Sequence, residues 1–366
     1  MQFDAAVLHA VGQPLAIERI TLGELQPNDV LVEVRASGLC HTDLEVMQGS
    51  LGYPLPIVLG HEGAGVVARV GTAVTRVAVG DHVVCSWNPH CGHCFYCERD
   101  QPILCEPFIR HQPAGHQLDG GSRYTLGGSK VHHFSVMSSH AEYCVVPESG
   151  AIAVPRAIPF DVACLIGCGV MTGVGAVSRL ARVEAGAQVA VIGCGAVGLN
   201  AIQAAAFEQA ATVIAIDRDP AKLVRARAFG ATDLLGPDCA DVPAAVRELT
   251  AGRGADYVFE CAGGEAALQT MYDVVRPGGQ AVILGKVAVD RKVSLRFGSM
   301  MGEKWVIRSS YGGARPRRDF PWLAQRYLDG KLMLDELISL RLPLARINEG
   351  FEAMKRNEIV RAVVTF

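Results

Sequence analysis

Hydrophobic and polar positions change their pattern near residue 170 of the chain. Before that point, short β-rich runs such as DVLVEVRASG, GAGVVARVG and VAVGDHVVC are punctuated by glycine and aspartate, which is typical of a compact β-domain with tight turns. After it, strand-like apolar runs alternate with helix-like runs, beginning with AQVAVIG, AVGLNAIQAAAFEQ and TVIAID. This alternation predicts a parallel sheet with crossover helices.

Two further segments depart from this alternation. The tail from about Gly312 returns to a mixed pattern and ends in RAVVTF, which predicts a closing strand that rejoins the first domain. The segment from Arg110 to Phe134 is rich in glycine, histidine and serine, and we interpret it as a long loop.

Composition sets the broad class of the protein. With 366 residues, of which 50% are hydrophobic and 19% charged, the chain is long enough for two well-cored domains. Its 37 acidic and 34 basic residues form no long run of one sign, so we expect no nucleic-acid or membrane partner. The N-terminus lacks a secretory signal pattern, which favours a cytoplasmic location.

The densest chemical signal is HCGHCFYCERDQPILC, in which four cysteines follow the spacing C-x2-C-x2-C-x7-C. Thiols stay reduced in the cytoplasm, so a metal site is favoured over a disulfide knot. Four thiolates can close a tetrahedron around Zn²⁺, which leaves no open position for a substrate. An iron–sulfur cluster is the main alternative. The candidate ligands of this structural zinc are Cys91, Cys94, Cys97 and Cys105.

A glycine-rich turn, GCGAVG, lies between a predicted strand and a predicted helix. In that context GxGxxG indicates a dinucleotide site, because glycines let the pyrophosphate approach the backbone and the helix N-terminus supplies N–H groups. Asp217 ends the next strand, where its carboxylate would accept ribose hydroxyls and repel a 2′-phosphate. NAD is therefore favoured over NADP, although Arg218 keeps NADP open. The turn residues assigned to the cofactor are Gly193, Gly195, Ala196, Val197 and Gly198.

Three separated fragments carry candidate ligands for a catalytic metal, namely GLCHTD, LGHEGAG and LIGCGVMTG. A lone cysteine in an apolar segment is usually a small buried side chain. Spacing alone does not bring Cys168 together with Cys40 and His61. The residues by themselves therefore leave the catalytic centre undecided.

The chain resembles the zinc-containing medium-chain alcohol dehydrogenases along its whole length. The resemblance rests on GLCHTD, GHEGAG, the four-cysteine lobe, DGGSRYTLGG with HHF, CLIGCGVMTG, GCGAVG, AID, INEGF and RAVVTF. It implies an α/β fold, in which a GroES-like β-rich catalytic domain comprises residues 1–169 and 311–366. A Rossmann domain, built on a doubly wound parallel sheet, would span residues 170–310. The long loop after Cys105 is similar to that of dimeric members, which implies a homodimer.

Carried over residue by residue, the resemblance makes Cys40, His61 and Cys168 the ligands of a catalytic zinc. The chain would then hold two zinc ions, one catalytic and one structural. Two thiolates and an imidazole leave one position open, where an alcohol loses its proton more readily and a carbonyl is polarised. Hydride would pass directly between the carbinol carbon and the nicotinamide.

Four side chains near these ligands also match family positions. Thr42 matches the hydroxyl that begins the proton relay, and Glu45 stands where many members end that relay with a histidine. Asp43 would orient His61, and Glu62 would lie close behind the metal. The resemblance thus implies that proton release uses Glu45 or water.

Outside the glycine turn, the resemblance implies four more cofactor contacts. His41 would approach the pyrophosphate, Lys222 the adenosine ribose, and Arg361 a phosphate. Thr172, in the same fragment as Cys168, is assigned to the cofactor as well. The two basic residues Lys222 and Arg361 have a second interpretation as solvated surface charges.

The substrate pocket is implied by three positions. Trp87 matches an aromatic residue that lines the channel, Leu51 would lie farther out, and Lys286 stands where relatives place a small apolar residue. An apolar, aromatic-lined pocket suits a small-molecule primary alcohol or aldehyde, aliphatic or aromatic. We therefore predict reversible hydride transfer between such a substrate and NAD.

Three alternatives stay open. The enzyme could retain NAD as a tightly bound group, as in nicotinoproteins. It could be a formaldehyde dehydrogenase that acts on a glutathione thiol adduct, although such relatives carry an acidic residue where this chain has Leu51. A non-enzymatic protein that binds NAD and zinc is disfavoured, because all three catalytic ligand positions are intact.

Overall fold

The computed structural model describes residues 1–288 and 290–366. It divides into two compact units, Met1–Cys168 with Arg315–Phe366 and Gly169–Ala314. The first unit is thus assembled from two stretches of chain, and the second is inserted between them. The resemblance implies borders after residues 169 and 310 instead.

The regular elements alternate differently in the two units. In chain order the strands are β1 (Gln2–Leu8), β2 (Ala16–Leu22), β3 (Asp29–Gly38), β4 (Ile57–Val58), β5 (Gly63–Val70), β6 (His82–Cys85), β7 (Tyr124–Leu126), β8 (Ser129–His133), β9 (Tyr143–Pro147), β10 (Ala151–Ala153), β11 (Gln188–Ile192), β12 (Thr212–Ile216), β13 (Asp233–Leu235), β14 (Ala255–Glu260), β15 (Val275–Ile283), β16 (Trp305–Arg308), β17 (Ile338–Pro343) and β18 (Arg361–Thr365). The α-helices are α1 (His41–Met47), α2 (Glu106–His111), α3 (Phe160–Leu165), α4 (Met171–Gly175), α5 (Ala196–Phe207), α6 (Pro220–Ala228), α7 (Val242–Leu249), α8 (Glu265–Val274), α9 (Pro316–Leu328) and α10 (Ile347–Lys355).

Two sheets form the β-rich part of the first unit. One closes into a small barrel in the order β1-β2-β7-β8-β4, and the other has the order β10-β6-β5-β3-β18-β17, with β9 also paired to β3. Valines that alternate along β3 are buried in a core shared with β5, β6 and β9. This alternation is the period-two pattern that one buried sheet face requires. The GroES-like β-rich domain is confirmed.

The loop interpretation of Arg110 to Phe134 is wrong for its second half. Strands β7 and β8 form an antiparallel hairpin there, with Tyr124 opposite Val131. Gly127 and Gly128 make the turn, and both have positive φ, at 56° and 81°. Glycine adopts that conformation without steric cost, so the residues that suggested a loop are those that close a tight hairpin.

The helical segment Phe160–Ala181 is long and apolar enough to cross a membrane, by length and composition alone. It comprises α3, α4 and the π-helical stretches Ile166–Val170 and Ala176–Ala181. However, 78% of its most apolar window is buried inside the protein. Burial against other side chains explains its composition without a bilayer.

The second unit is a parallel sheet with strand order β13-β12-β11-β14-β15-β16. Because the chain starts in the middle, moves outward on one side and then on the other, this is the doubly wound order of a Rossmann fold. Helices connect its parallel strands, and the core contains Ile192, Ile214 and Val258. The predicted Rossmann sheet is confirmed. Strand β16 lies at one edge of this sheet.

Candidate metal centres and dinucleotide site

The four clustered cysteines converge in the lobe that precedes α2. Their sulfur atoms all lie within 4.8 Å of one another. The Cys91 N–H donates to Cys105 Sγ at 3.3 Å, and the sulfurs of Cys91 and Cys97 are 4.0 Å apart. Thiolates about 2.3 Å from a single tetrahedral Zn²⁺ would be nearly 4 Å apart, whereas a multi-iron cluster needs wider spacing. The donor set therefore fits one closed zinc site.

Local surroundings change the pKa values of these thiols in different directions. Burial opposes ionisation of Cys94, but backbone N–H groups of Glu106 and Cys97 stabilise its thiolate and lower its pKa to about 6. Burial raises the pKa of Cys97 to about 11. Thiolates that accept backbone N–H bonds are characteristic of metal-ligating cysteines, since a bound cation requires the deprotonated form.

A second cluster collects Cys40, His61, Glu62 and Cys168, whose ligand atoms also lie within 4.8 Å of one another. These residues come from separate elements of the first unit. Cys40 follows β3 and caps α1, and His61 and Glu62 lie between β4 and β5. Cys168 lies in the π-helical stretch after α3. The fold brings together the trio that spacing alone left apart.

Asp43 fixes the geometry around His61. Its Oδ1 lies 3.1 Å from His61 Nδ1 and accepts the Gly60 N–H at 3.1 Å. Its Oδ2 accepts the Cys40 N–H at 3.1 Å. This carboxylate therefore holds His61 through Nδ1 and leaves Nε2 for a metal, as in carboxylate–histidine–zinc arrangements.

The thiols of Cys40 and Cys168 are electrostatically linked. Their mutual hydrogen bond lowers the pKa of Cys40 and raises that of Cys168, the pattern of two sulfurs that share one proton. A zinc ion would take the place of that proton. Two thiolates and one imidazole match the three protein ligands of a catalytic zinc rather than the four of a structural one.

Glu62 lies behind these ligands with Arg361 as its partner. Both side chains are buried, and an Arg361 Nη2 hydrogen bond reaches Glu62 Oε1. Arg361 also donates to the Leu39 carbonyl at 3.0 Å. Burial raises the pKa of Glu62 to about 7, against the lowering effect of Arg361. These contacts of Arg361, with Glu62 and Leu39, are both within the first unit. The phosphate contact assigned to Arg361 stays a prediction.

Four further residues assigned to proton transfer and substrate belong to the first unit. Thr42 Oγ1 is 3.9 Å from Cys40 Sγ, and Glu45 lies one turn farther along α1. Leu51 packs at the margin of the apolar core next to α1. Trp87 packs against Phe108 and the four-cysteine lobe. Their roles toward substrate stay predictions.

The glycine-rich turn joins β11 to α5 in the second unit. Gly193 has φ 90°, and a Cβ on Gly198 would lie 1.8 Å from the Gly193 carbonyl oxygen, so both positions require glycine. A Cβ on Gly195, at the cap of α5, would meet nothing within 4 Å. The helix N-terminus is therefore open to a pyrophosphate, which fits a dinucleotide.

Asp217 lies at the end of β12 beside this turn. Its Oδ2 accepts the Cys194 N–H at 2.7 Å, and its Oδ1 accepts the Asp219 N–H at 2.9 Å. These bonds fix the carboxylate and leave further lone pairs for ribose hydroxyls. Other residues assigned to the cofactor or the substrate are placed as follows: Arg218, His41 and Lys286 are exposed, Lys222 is half-buried in α6, and Thr172 is half-buried in α4.

Sequence reasoning missed two contacts of the zinc cluster. The pairing of Arg361 with Glu62 joins residues 299 positions apart, for which no local pattern exists. His140 lies fully buried with Nε2 3.9 Å from Asp43 Oδ1. A histidine in the run SSHAEY carries no spacing signal, so only the fold reveals it.

Comparison with known families gives two matches. The alcohol dehydrogenase GroES-like domain matches residues 26–156, and the zinc-binding dehydrogenase domain matches residues 196–329. Among curated relatives, the class-3 alcohol dehydrogenase of Myxine glutinosa is 38% identical over 98% of this chain and 96% of its own. The S-(hydroxymethyl)glutathione dehydrogenase of Paracoccus denitrificans is 37% identical over 100% of both chains.

Solved structures give the same picture. An alcohol dehydrogenase zinc-binding domain protein from Burkholderia ambifaria superimposes with a TM-score of 0.96 at 35% identity, covering 100% of this chain and 99% of its own. Benzyl alcohol dehydrogenase from Acinetobacter calcoaceticus superimposes with a TM-score of 0.94 at 29% identity, with the same coverage.

Proposed function

The chain belongs to the zinc-containing medium-chain alcohol dehydrogenase family, and on that premise we propose that it oxidises the hydroxymethyl group of a thiol adduct. The protein is an NAD- and zinc-dependent alcohol dehydrogenase. Loss of the hydroxyl proton, together with transfer of hydride from a carbinol carbon bonded to sulfur to NAD, gives a formyl thioester. The adduct of formaldehyde with glutathione is therefore the proposed substrate.

The observation that carries this choice is the naming of relatives that match almost the full length of the chain. Relatives at 35–38% identity are S-(hydroxymethyl)glutathione dehydrogenases or class-3 alcohol dehydrogenases. These names support the thiol adduct, one of the alternatives left open by the sequence, better than the free alcohol that we predict from the pocket positions.

A free primary alcohol is the second candidate, and one position favours it. Leu51 stands where thiol-adduct dehydrogenases are expected to carry an acidic residue. Leu51 packs with Tyr53 and Leu55 against the apolar core. An apolar wall suits a hydrocarbon chain or ring better than a tripeptide with charged ends.

We assign separate roles in the reaction to residues of the first unit. Cys40, His61 and Cys168 would hold the zinc, which when bound lowers the pKa of a substrate hydroxyl. Asp43 keeps His61 oriented through its hydrogen bond to Nδ1. Thr42, beside Cys40, would take the hydroxyl proton and pass it to water or to Glu45 on the same helix.

The second unit binds the hydride acceptor. Gly193, Gly195 and Gly198 admit the pyrophosphate to the backbone at the N-terminus of α5, and Asp217 selects the unphosphorylated ribose. Bound NAD supplies the hydride-accepting carbon.

Substrate choice is tested with purified zinc-loaded enzyme and reduced-nicotinamide absorbance. The substrates compared are formaldehyde with glutathione, formaldehyde alone, benzyl alcohol and a series of straight-chain primary alcohols. We expect kcat/KM for the adduct to exceed that for each free alcohol by at least tenfold. A preference in the opposite direction replaces the adduct by the second candidate. Cys40→Ser protein serves as the inactive control.

We also propose a homodimer formed through the edge of the second unit. Phe297, Met301 and Trp305, in or near β16, are 75%, 60% and 67% exposed. Large apolar side chains beside an open sheet edge are typical of a surface that a second chain covers.

A further inference from the structure

A buried imidazole lies beneath the Asp43–His61 pair. His140 is fully buried, with Nδ1 2.9 Å from Ser37 Oγ and Nε2 3.9 Å from Asp43 Oδ1. Ser37 Oγ lies 2.8 Å from Ser139 Oγ. Together they form a polar chain from the two serines through His140 to Asp43. Its last step is an electrostatic contact across 3.9 Å, because Nε2 has no hydrogen-bond partner among the described residues.

Burial determines the charge of this imidazole. Loss of solvent lowers the pKa of His140 to about 4, so the ring is neutral near pH 7 and carries one N–H. If that proton were on Nδ1, the lone pair of Nε2 would face the Asp43 carboxylate in a buried site. A proton on Nε2 instead directs the N–H dipole toward Oδ1, and Nδ1 then accepts from Ser37. The second tautomer is therefore the stable one.

The backbone around His140 also supports the turn that carries His61. The His140 N–H donates to the Leu59 carbonyl at 3.0 Å, and the Ser139 N–H donates to the Gly60 carbonyl at 3.0 Å. A Cβ on Gly60 would lie 2.4 Å from the His140 backbone nitrogen and 2.7 Å from its Nδ1. The ring is thus packed directly against the residue that precedes His61.

We propose that His140 is a positioning residue for His61 that acts through Asp43. The dipole of its Nε2–H, 3.9 Å from Asp43 Oδ1, and its packing against Gly60 favour the orientation of the carboxylate and the turn that presents His61 Nε2 to zinc. The inference rests on the zinc-ligand role proposed for Cys40, His61 and Cys168, but not on the identity of the substrate.

If His140 only filled space, its substitutions would have different effects. The ring centroids of His140 and Phe351 are 6.0 Å apart in an edge-to-face arrangement. A phenyl ring at position 140 could therefore pack against an apolar neighbour. His140→Phe keeps a ring of similar size and removes both nitrogens. His140→Gln keeps an acceptor for Ser37 and an N–H group whose dipole can point toward Asp43. If His140 only fills space, the phenylalanine variant should be the better substitute.

The matched control is another fully buried histidine of the same unit. His133 accepts the Arg123 N–H at 3.0 Å and contacts Gln117 at 3.2 Å, and it makes no described contact with Asp43. His133→Phe therefore removes a buried, hydrogen-bonded imidazole without touching the polar chain. General loosening of the unit would appear in this variant as well.

The experiment measures zinc release from the holoenzyme to a colorimetric chelator, together with the absorption spectrum after Co²⁺ replaces the catalytic zinc. The four-cysteine site of the same molecule is an internal reference, since its release rate should not change. We expect His140→Phe to release the catalytic zinc about tenfold faster, the lower end of the range for partners of metal ligands. His140→Gln should stay within about threefold of wild type, and the Co²⁺ spectrum should shift only in the phenylalanine variant.

Three results would overturn the proposal. They are wild-type release and spectrum in His140→Phe, faster catalytic release in His133→Phe equal to that of His140→Phe, and equal acceleration at both zinc sites. If His140→Phe does not fold, Ser37→Ala removes the donor that fixes the tautomer and should accelerate catalytic release in the same direction. Unchanged release in Ser37→Ala and His140→Gln would then also overturn it. A failed substrate prediction leaves all these readouts unaffected.

Discussion

The guanidinium of Arg361 donates to the carboxylate of Glu62, 299 positions earlier in the chain, and both side chains are buried. Strand β18 carries Arg361 to this place because it pairs with β3, whose end leads to Cys40. A late segment of the chain thereby neutralises a carboxylate next to the zinc ligands.

Arg361→Met should lower the free energy of unfolding by about 3 kcal/mol, because Glu62 is left buried without its cation or must take up a proton. The measurement is denaturant unfolding of the zinc-loaded protein. The double variant Glu62→Gln with Arg361→Met should lose less free energy of unfolding than the two single variants lose together. Additive losses would mean that the two side chains are energetically independent.

Replacement of a lobe cysteine should separate stability from chemistry. Cys97→Ser should lose one zinc per chain and lower the melting temperature, because a closed site contributes folding energy. Cys168→Ser should abolish turnover in a protein that still folds and binds NAD. Metal analysis, thermal unfolding and turnover on one preparation test both statements, and loss of turnover at normal folding in Cys97→Ser would contradict the assignment of roles.

Asp217→Ser should weaken the preference for NAD and give the enzyme activity with NADP. Removal of the carboxylate takes away the repulsion of a 2′-phosphate and leaves Arg218 beside it. We expect KM for NAD to rise about tenfold, corresponding to the loss of about 1.4 kcal/mol of binding, and NADP turnover to become measurable. Asp219→Asn is the control, since its side chain caps α6 through the Ala221 N–H. An unchanged cofactor ratio in Asp217→Ser would exclude this role.

Trp305→Asp should disrupt the proposed dimer. A charge placed at an apolar sheet edge is costly to bury, whereas it is readily solvated on a free surface. Sedimentation of the wild type should give a dimer and that of the variant a monomer. Phe95→Asp is the matched control, because Phe95 is 52% exposed and lies in the other unit. A wild-type monomer, or a Trp305→Asp dimer, would contradict the proposal.

The sequence predicts most of what is periodic or locally spaced. The Rossmann turn is announced by GCGAVG between a strand and a helix, and the zinc lobe by four cysteines within one short run. The parallel sheet with crossover helices in the second unit follows from the alternation of strand and helix. Each of these signals is contained within a short stretch of chain.

The catalytic cluster is of a different kind. Cys40, His61 and Cys168 meet only because three elements of the first unit pack together, and their union was supplied by family resemblance rather than by pattern. His140 and the Arg361–Glu62 pair show the same limit. Contacts between distant residues depend on tertiary packing, which leaves no periodic trace in the chain.

The loop interpretation of residues 110–134 failed for a related reason. Glycine marks both irregular loops and tight hairpin turns, and only the pairing of Tyr124 with Val131 distinguishes the two.

The insertion of the second unit also delays completion of the first unit during biosynthesis. Strand β18 pairs with the Ala36–Gly38 end of β3, but the entire second unit is translated between them. At about 5–20 residues per second, this end of β3 waits on the order of tens of seconds for its partner. The inserted unit is contiguous in the chain and can finish folding during that interval. The nascent first unit therefore presents an open β-edge to chaperones and to neighbouring chains until the last strand leaves the ribosome.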